Sequence, residues 1–337
     1  TRRRRHPRLH EKSRGLGDVY KRQVLPHARS KAPHVRAAAA AALARCEPSR
    51  DAVEALGRML SDDAPAVRRE AAAGLTFVGP RAAPAAEAIA RAVGDEDAEV
   101  RRHALRALGG LPGGTAEAES VRARLADPAP RVRVAAATLE RRLEPADAEA
   151  EKVLLAGLEG KEAALRAEAA AGLAEAPTLT DAAREALEGA LDDDSPRVQV
   201  AAARGLVGAG ADPAAQLDIM EPCLESRDRE TRRLALQLAE RHGPRAGAVA
   251  ELVSAAALRG ATPVRVAALR ALAAMGPDVP GTVAVLFAVR DRGPLPVRDA
   301  ARASLEGLGA DEERLVAALL PSLGSTWKEI VNGAVLG

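Results

Sequence analysis

Aromatic side chains are almost missing from this sequence: one Trp, one Tyr and two Phe make up 1% of its 337 residues. The hydrophobic fraction still reaches 47% and consists mostly of Ala, Leu and Val. Alanine has the highest helix propensity and adds little buried area, whereas strands favour β-branched and aromatic residues. The composition therefore predicts closely packed helices and argues against a β-rich or α/β enzyme.

Cysteine is equally scarce. Cys46 and Cys223 lie far apart, so the sequence offers neither a disulfide framework nor a metal-binding spacing. We interpret both as small buried hydrophobic residues. No apolar run approaches the roughly 18 residues of a membrane span, so we expect none.

Catalytic motifs are also missing. Beyond residue 23 the four histidines stand singly, without a second metal ligand at a typical spacing: His27, His34, His103 and His242. There is no G-x-S-x-G turn and no phosphate-binding loop of the G-x-x-x-x-G-K type. We therefore expect no enzymatic activity and predict no catalytic, cofactor-binding or metal-binding residue.

What the sequence does contain is a repeat of 32 or 33 residues, marked by a step that resembles Val-Arg. We number positions within each repeat from its first residue, which is Val35, Val67, Val100, Val132, Leu165, Val198, Thr231, Val264 and Val297. Position +4 is Ala in all nine repeats: Ala39, Ala71, Ala104, Ala136, Ala169, Ala202, Ala235, Ala268 and Ala301. Position +8 is Leu in seven repeats, and the other two have Leu139 and Leu238 one residue earlier.

Positions 0, +4 and +8 lie on one stripe of an α-helix, so we expect this stripe to be buried. Proline or aspartate precedes most of these helices and marks a turn. A second amphipathic run occupies the rest of each repeat, as at Ala52–Leu60 and Ala182–Leu191. Each repeat is thus predicted to hold an A helix, a turn and a B helix. The fold class is all-α, an α-solenoid of about nine helix pairs.

The pattern D-x-x-P-x-V-R-x-x-A-x-x-x-L, clearest at Asp127–Arg133, resembles HEAT repeats, particularly the short bacterial type of phycobilisome-lyase-like proteins. Ankyrin repeats carry a Thr-Pro-Leu-His signature that this sequence lacks. Tetratricopeptide repeats need aromatic residues at fixed positions, and this chain has too few of them. The resemblance covers about residues 30–320. It implies a right-handed superhelix whose B helices line the concave surface. We assign residues 24–324 to this solenoid, and residues 325–337, with Trp327, to a capping helix or a truncated further repeat.

Residues 1–23 differ from the rest of the chain. Ser13–Gln23, SRGLGDVYKRQ, resembles an in-frame translation of a transposase-type sequencing-library adapter, and the Arg-rich stretch before it is similar to the other arm of that adapter. A basic nucleic-acid-binding arm or a targeting peptide is the competing interpretation. We favour the adapter and expect residues 1–23 to be non-native and disordered. The true N-terminus is then missing, so a signal peptide stays possible, although we favour a cytoplasmic location.

The formal charge of the chain depends on that segment. The whole chain carries 49 basic and 47 acidic residues, but residues 1–23 hold nine of the basic and two of the acidic ones. The remaining 40 basic and 45 acidic residues give a net charge of −5. A mildly acidic chain without stacking aromatics is not expected to bind nucleic acid. We expect a monomer that binds a protein or peptide.

Arginines form two predicted sets. Position +1 is Arg in eight repeats, and we expect a structural ladder in which each Arg pairs with the Asp six residues before it, as in HEAT repeats: Asp62–Arg68, Asp95–Arg101 and Asp127–Arg133. Positions +2 and +6 are predicted to face outward on the B helices. We hypothesise that their arginines form an interrupted basic stripe for an acidic or phosphate-bearing partner: Arg69, Arg102, Arg106, Arg204, Arg233 and Arg270. Arg141, Arg142 and Arg241 lie near the helix ends, and ordinary solvated arginines are the alternative.

The predicted function is a non-enzymatic scaffold or adaptor that binds partners along the concave B-helix surface. One alternative, implied by the resemblance, is a phycobilisome-lyase-like protein that handles a chromophore, although such a protein should show more aromatic pocket residues. Another alternative is a HEAT-like nucleic-acid binder, which tight binding of duplex DNA by the chain without residues 1–23 would reveal.

Overall fold

A computed structural model describes residues 23–45, 49–112, 118–176, 178–211 and 217–308. The adapter-like segment up to residue 22, Cys46 and the predicted C-terminal helix with Trp327 lie outside these ranges. Within them the regular structure is entirely helical and no strand occurs. The predicted all-α class is therefore confirmed.

Seventeen α-helices alternate along the described ranges: α1 Pro33–Arg45, α2 Arg50–Met59, α3 Pro65–Val78, α4 Ala86–Ala92, α5 Ala98–Gly109, α6 Ala118–Arg122, α7 Pro130–Leu143, α8 Ala148–Leu158, α9 Ala163–Leu173, α10 Asp181–Gly189, α11 Pro196–Gly208, α12 Leu217–Glu225, α13 Arg229–His242, α14 Ala250–Arg259, α15 Thr262–Met275, α16 Thr282–Arg290 and α17 Leu295–Gly307. The nine odd-numbered helices are the predicted B helices, and the even-numbered ones are the A helices. A 3-10 turn at Leu25–Arg29 precedes α1.

The central stripe of the B helices is buried, as the repeat predicts. All nine alanines at position +4 are at most 4% exposed, and seven of them are 0% exposed. Alanine at this position lets neighbouring helices approach closely, because its methyl group fills little space. The leucines of position +8 and the displaced Leu139 and Leu238 are also buried, except Leu305, which is half-buried. Small and aliphatic side chains therefore supply the core without aromatic residues.

The helix boundaries follow from capping residues and prolines. Asp97 and Asp228 are the N-caps of α5 and α13, where their carboxylates accept hydrogen bonds from backbone amides of the first turn. Several other B helices begin with proline, which fits the first turn because no amide partner is needed there. Gly79 and Gly243 end α3 and α13 with positive φ angles of 63° and 57°, a conformation that favours glycine. These signals give the chain sharp turns at the repeat boundaries.

The helices form two compact units, Thr1–Gly157 and Leu158–Gly337. In the first unit α1, α3, α5 and α7 pack in sequence, and α2, α4 and α6 each pack on the B helix that follows. In the second unit α9, α11, α13, α15 and α17 pack in sequence, and α10, α12, α14 and α16 do the same as the A helices of the first. No described helix is both long and apolar enough to cross a membrane.

Candidate interaction surface

The arginines of position +1 form hydrogen-bonded steps between consecutive repeats. Arg101 donates from Nε and Nη2 to the two carboxylate oxygens of Asp127, both at 2.8 Å. The same guanidinium donates from Nη1 to the backbone carbonyls of Asp95 and Glu96, both at 2.9 Å. One side chain thus clamps the turn of its own repeat and the carboxylate of the next.

The same geometry recurs at three further positions. Arg36 binds Asp62, Arg68 binds Asp95 and Arg166 binds Asp193, each through Nε at 2.6–2.8 Å. The carboxylate of each Asp also accepts the amide two residues on, for example that of Ala64 at 2.9 Å. The aspartate therefore holds the turn before its B helix while it receives the arginine of the preceding repeat.

The predicted pairing within one repeat is therefore wrong. Arg68 contacts Asp62, six residues earlier, only through the carbonyl oxygen, and its carboxylate partner is Asp95, 27 residues later. The reason is that the Asp62 carboxylate turns inward to its own helix start, which leaves the carbonyl facing Arg68. The planar guanidinium can then span two neighbouring turns with its fork.

Hydrogen bonding from arginine also governs the ionisation of the ladder carboxylates. The Arg36 guanidinium lowers the pKa of Asp62, and Arg166 does the same to Asp193. Burial raises the pKa of Asp127, but Arg101, the Ala129 amide and Arg124 together outweigh it, so the net pKa is lowered. These carboxylates are charged at neutral pH and engaged in the fold.

The ladder is interrupted where the sequence lacks one partner. Arg133 donates to the carbonyls of Asp127 and Pro128 at 2.8 and 3.2 Å, but the aspartate position of the next repeat is Gly160. Gln199 replaces the arginine of its repeat and donates to the Asp193 carbonyl at 2.9 Å. Ser226 then stands at the next aspartate position. The arginines of position +1 are thus structural in most repeats.

The six arginines of the predicted stripe differ in exposure. Arg69, Arg106 and Arg270 are exposed, Arg204 and Arg233 are half-buried, and Arg102 is only 7% exposed. Position +2 also holds the buried Val134, Ala167 and Val200. The prediction that position +2 faces outward is therefore wrong for these four repeats, because consecutive B helices pack against each other along that row. Arg141, predicted near the exposed helix ends, is 2% exposed and pairs with Glu151.

In the first unit two of the three stripe residues, Arg69 and Arg102, have acidic partners. Arg69 binds Asp97, the N-cap of α5, with Nε at 2.7 Å from a carboxylate oxygen. Arg102 donates to Glu99 and lies 3.0 Å from Nε2 of His103. Burial, followed by the charges of Arg102 and Arg106, lowers the pKa of His103 to about 4. The ring is therefore neutral at physiological pH and can accept a hydrogen bond from Arg102.

In the second unit three arginines come together where α11 packs on α13. Arg233 binds Glu230 through both ends of its fork, with Nε at 2.9 Å from Oε2. Nη1 of Arg241 donates to the backbone carbonyl of Arg204 at 3.2 Å. Burial, then the charges of Arg241 and Arg233, lowers the pKa of Arg204 to about 10. The structure thus joins Arg204 and Arg233 with Arg241, which the prediction had placed near the helix ends.

The contact made by Arg241 coincides with a feature of the sequence, the shift of the repeat leucine from position +8 to position +7. The two repeats with Leu139 and Leu238 at position +7 are those in which an arginine at position +10 donates to a carbonyl of the preceding B helix. Arg142 reaches Gly109 in this way, near the C-terminal end of α5. A cation there is favoured by the helix dipole. Both arginines therefore act between neighbouring B helices.

No cluster of three or more potential metal-ligating side chains occurs in the part of the chain that the structure describes. Asp193, within the acidic run at residues 192–194, is engaged by Arg166. Cys223 is fully buried, and burial raises the pKa of its thiol to about 11. The expected structural role of this cysteine agrees with its position in the core.

A family model described as HEAT repeats matches residues 22–91. A comparison with curated proteins found no match. Among solved structures, the chain is similar to an engineered protein at 21% identity, with 93% of this chain and 97% of that chain covered and a TM-score of 0.41. It is similar to human deoxyhypusine hydroxylase in complex with glycerol at 19% identity, covering 89% and 99% with a TM-score of 0.38. It is also similar to the CpcE–CpcF complex of phycocyanin lyase from Nostoc sp. PCC7120 at 18% identity, covering 86% and 94% with a TM-score of 0.42.

The family match covers the first described repeats, and the same helix pair recurs in both units with a buried alanine at its centre. Residues 22–91 therefore match the HEAT-repeat family, and the described helix pairs beyond them have the same two-helix repeat.

Proposed function

We propose that this chain is a non-enzymatic protein-interaction scaffold that binds an acidic segment of its partner along the B helices. The observation that carries the proposal is that the arginines of positions +1 and +6 have different surroundings. Those at position +1 are engaged in the fold, whereas Arg106 and Arg270 at position +6 are exposed and Arg204 is half-buried. Position +6 is therefore where the B helices offer positive charge to a partner.

The chemistry of the surface favours a peptide over a nucleic acid. Beyond residue 23 the chain is net acidic, and Phe77 is the one large hydrophobic side chain exposed among the described residues. Single-stranded nucleic acid is usually held by stacking aromatics within a continuous basic groove. Arginines spaced along a helix face instead suit carboxylate or phosphate groups spaced along an extended protein segment.

The experiment is a selection of displayed random peptides on the full chain, repeated with a chain that starts at Val24. We expect enrichment of Asp- and Glu-rich peptides on both, since the basic adapter-like segment is not needed. Charge reversal at two exposed B-helix positions, Arg106→Glu with Arg270→Glu, should lower the affinity for a selected peptide by about tenfold or more.

The matched control reverses two exposed arginines on A helices, Arg58→Glu with Arg259→Glu. This variant has the same net charge as the test variant, and we expect it to bind almost as well as the parent. Equal losses in the two variants would show a general charge effect and contradict the proposal. Tight binding of duplex DNA at about 150 mM salt by the chain from Val24 would also contradict it.

A further inference from the structure

We propose that Arg204, Arg233 and Arg241 form a binding site for an oxyanion, the carboxylate or phosphoryl group of a protein partner. This inference rests on the proposed function, since it assigns one anchoring point within the B-helix surface. The three side chains belong to α11 and α13 of the second unit, at positions +6, +2 and +10 of their repeats.

The backbone brings the three guanidiniums together. Arg241 is held over the C-terminal part of α11 by its hydrogen bond to the Arg204 carbonyl. Gly208 leaves the space for it, because a Cβ atom at that position would lie 2.7 Å from Nη1 of Arg241. The glycine and the arginine thus fit each other, and they fix a cation next to Arg204.

The hydrogen bonding of the cluster is incomplete at Arg204. The fork of Arg233 is occupied by Glu230. The Nε atom of Arg204 is sealed from solvent without a hydrogen-bond partner in the described structure, and no described carboxylate binds this guanidinium. A half-buried arginine that faces two other arginines without a bonded anion is costly, as the lowered pKa of Arg204 shows. A bound oxyanion would remove that cost.

The charges around the site agree with a single anion. Glu175 and Glu230 are the acidic groups that partly offset the three arginines at Arg204. Three positive and two negative side chains leave one positive charge in excess. A carboxylate of the partner would balance this charge, and a phosphoryl group would do so with additional oxygen atoms for the guanidinium forks. One anionic group would therefore balance the site.

Arg270 provides an internal comparison, because it occupies the same position, +6, in the eighth repeat. The positions that would complete a cluster in the ninth repeat are Asp299 and Gly307, which correspond to Arg233 and Arg241. Arg270 is exposed, whereas Arg204 is half-buried. An anion that recognises the cluster should therefore need Arg204 and ignore Arg270.

The test is an NMR titration of the arginine Nε–Hε signals of the full chain with inorganic phosphate, compared with acetate and chloride at constant ionic strength. The Arg204 signal is assigned from Arg204→Gln. We expect it to shift saturably with both phosphate and acetate, with a phosphate dissociation constant on the order of millimolar. Arg204→Gln should abolish the accompanying shift of Arg241, and Arg270→Gln should leave it unchanged.

A lysine at position 204 keeps the charge but lacks the planar fork of arginine. Arg204→Lys should therefore lower the affinity for phosphate about tenfold without abolishing binding. The far-ultraviolet circular dichroism of each variant checks that it is folded. Linear shifts without saturation, or equal losses in Arg204→Gln and Arg270→Gln, would overturn the site.

The free-anion titration also separates this inference from the proposed function. If phosphate does not bind but the selected acidic peptides still do, the site is wrong and the scaffold proposal survives. Peptides with Ser, phosphoserine or Glu at one position then identify the source of the oxyanion in a partner. An oligonucleotide that binds more tightly than every peptide and depends on Arg204 would overturn the assignment to a protein partner.

Discussion

The two units use the same helix pair but connect their repeats differently. In the first unit, three consecutive steps of the ladder are complete: Arg36 to Asp62, Arg68 to Asp95 and Arg101 to Asp127. Among the described residues of the second unit, Arg166 to Asp193 is the one complete step. Beyond it, Gln199 and Ser226 replace the two ladder partners, and Arg259 and Arg292 stand at the later aspartate positions. The second unit must therefore hold its repeats together mainly by apolar packing.

The two units also differ in whether the arginines of the predicted stripe are paired with carboxylates. In the first unit, Arg69 and Arg102 each have an acidic partner, as the ladder arginines do. In the second unit, no described carboxylate forms a hydrogen bond with Arg204, although the charges of Glu175 and Glu230 act on it. The unit with fewer ladder steps is thus the one with the incompletely paired arginine cluster. In our proposal, stability and binding therefore depend on different arginines.

The largest effect is expected from a change at the most buried ladder step. Arg101→Met leaves the carboxylate of Asp127, which is 0% exposed, with only Arg124 at 3.5 Å and the Ala129 amide. Breaking a buried ion pair from one side should lower the free energy of local opening by about 3 kcal/mol. Gln199→Met, at the same position in the second unit, removes one hydrogen bond and should cost about 1 kcal/mol. Amide hydrogen exchange of α5 and α11 measures both values.

The paired variant Arg101→Met with Asp127→Leu separates the two sources of this cost. Since it removes the stranded carboxylate as well as the arginine, it should recover most of the lost stability. An equal destabilisation by Arg101→Met and Gln199→Met would show that the ladder does not distinguish the units.

The second effect concerns pH and arises at His103 in the first unit. Burial and the two neighbouring arginines lower the pKa of His103 to about 4, against 6.5 in the unfolded chain. The unfolded state therefore takes up a proton first as the pH falls. Stability is complete above about pH 6.5 and should decrease by about 2 kcal/mol on going to about pH 4.5. The ladder carboxylates titrate below this window, because their pKa values are lowered.

Hydrogen exchange corrected for the intrinsic rate measures this change in α5. The equivalent residue of α11 is Ala201, and α11 contains no histidine, aspartate or glutamate, so protection there should stay nearly constant over the same pH range. His103→Gln should make α5 behave like α11. A decrease that persists in this variant would assign the pH dependence to another group.

The repeat pattern was sufficient to predict the helix pairs and their buried stripe. Ala39 to Ala301 recur at one position because each must let a neighbouring helix approach, so a single sequence shows the requirement nine times. Helix periodicity also placed Arg106 and Arg270 correctly on the exposed side. These are properties of one helix and its own amphipathic pattern.

Properties that depend on two neighbouring repeats were not predictable in the same way. The pairing of Arg68 with Asp95 and the burial of Arg102 depend on how far one repeat is displaced and rotated from the next. The sequence spacing is compatible with either aspartate, six residues before or 27 after. Arg204 and Arg241 are likewise 37 residues apart and meet only through packing of α11 on α13.

The smallest effect is expected from adding a new ladder step between Gln199 and Ser226 in the second unit. Ser226 already accepts the Asp228 amide through its hydroxyl at 3.2 Å, as the ladder aspartates do through their carboxylates. Ser226→Asp should therefore keep the turn, and Gln199→Arg places a guanidinium opposite the new carboxylate. The double variant should stabilise α11 and α13 by about 1 kcal/mol, while each single change alone should contribute much less. A double-mutant cycle by hydrogen exchange measures the coupling. Additive single effects would show that the two side chains do not meet, and that the spacing of repeats six and seven differs from that of the first unit.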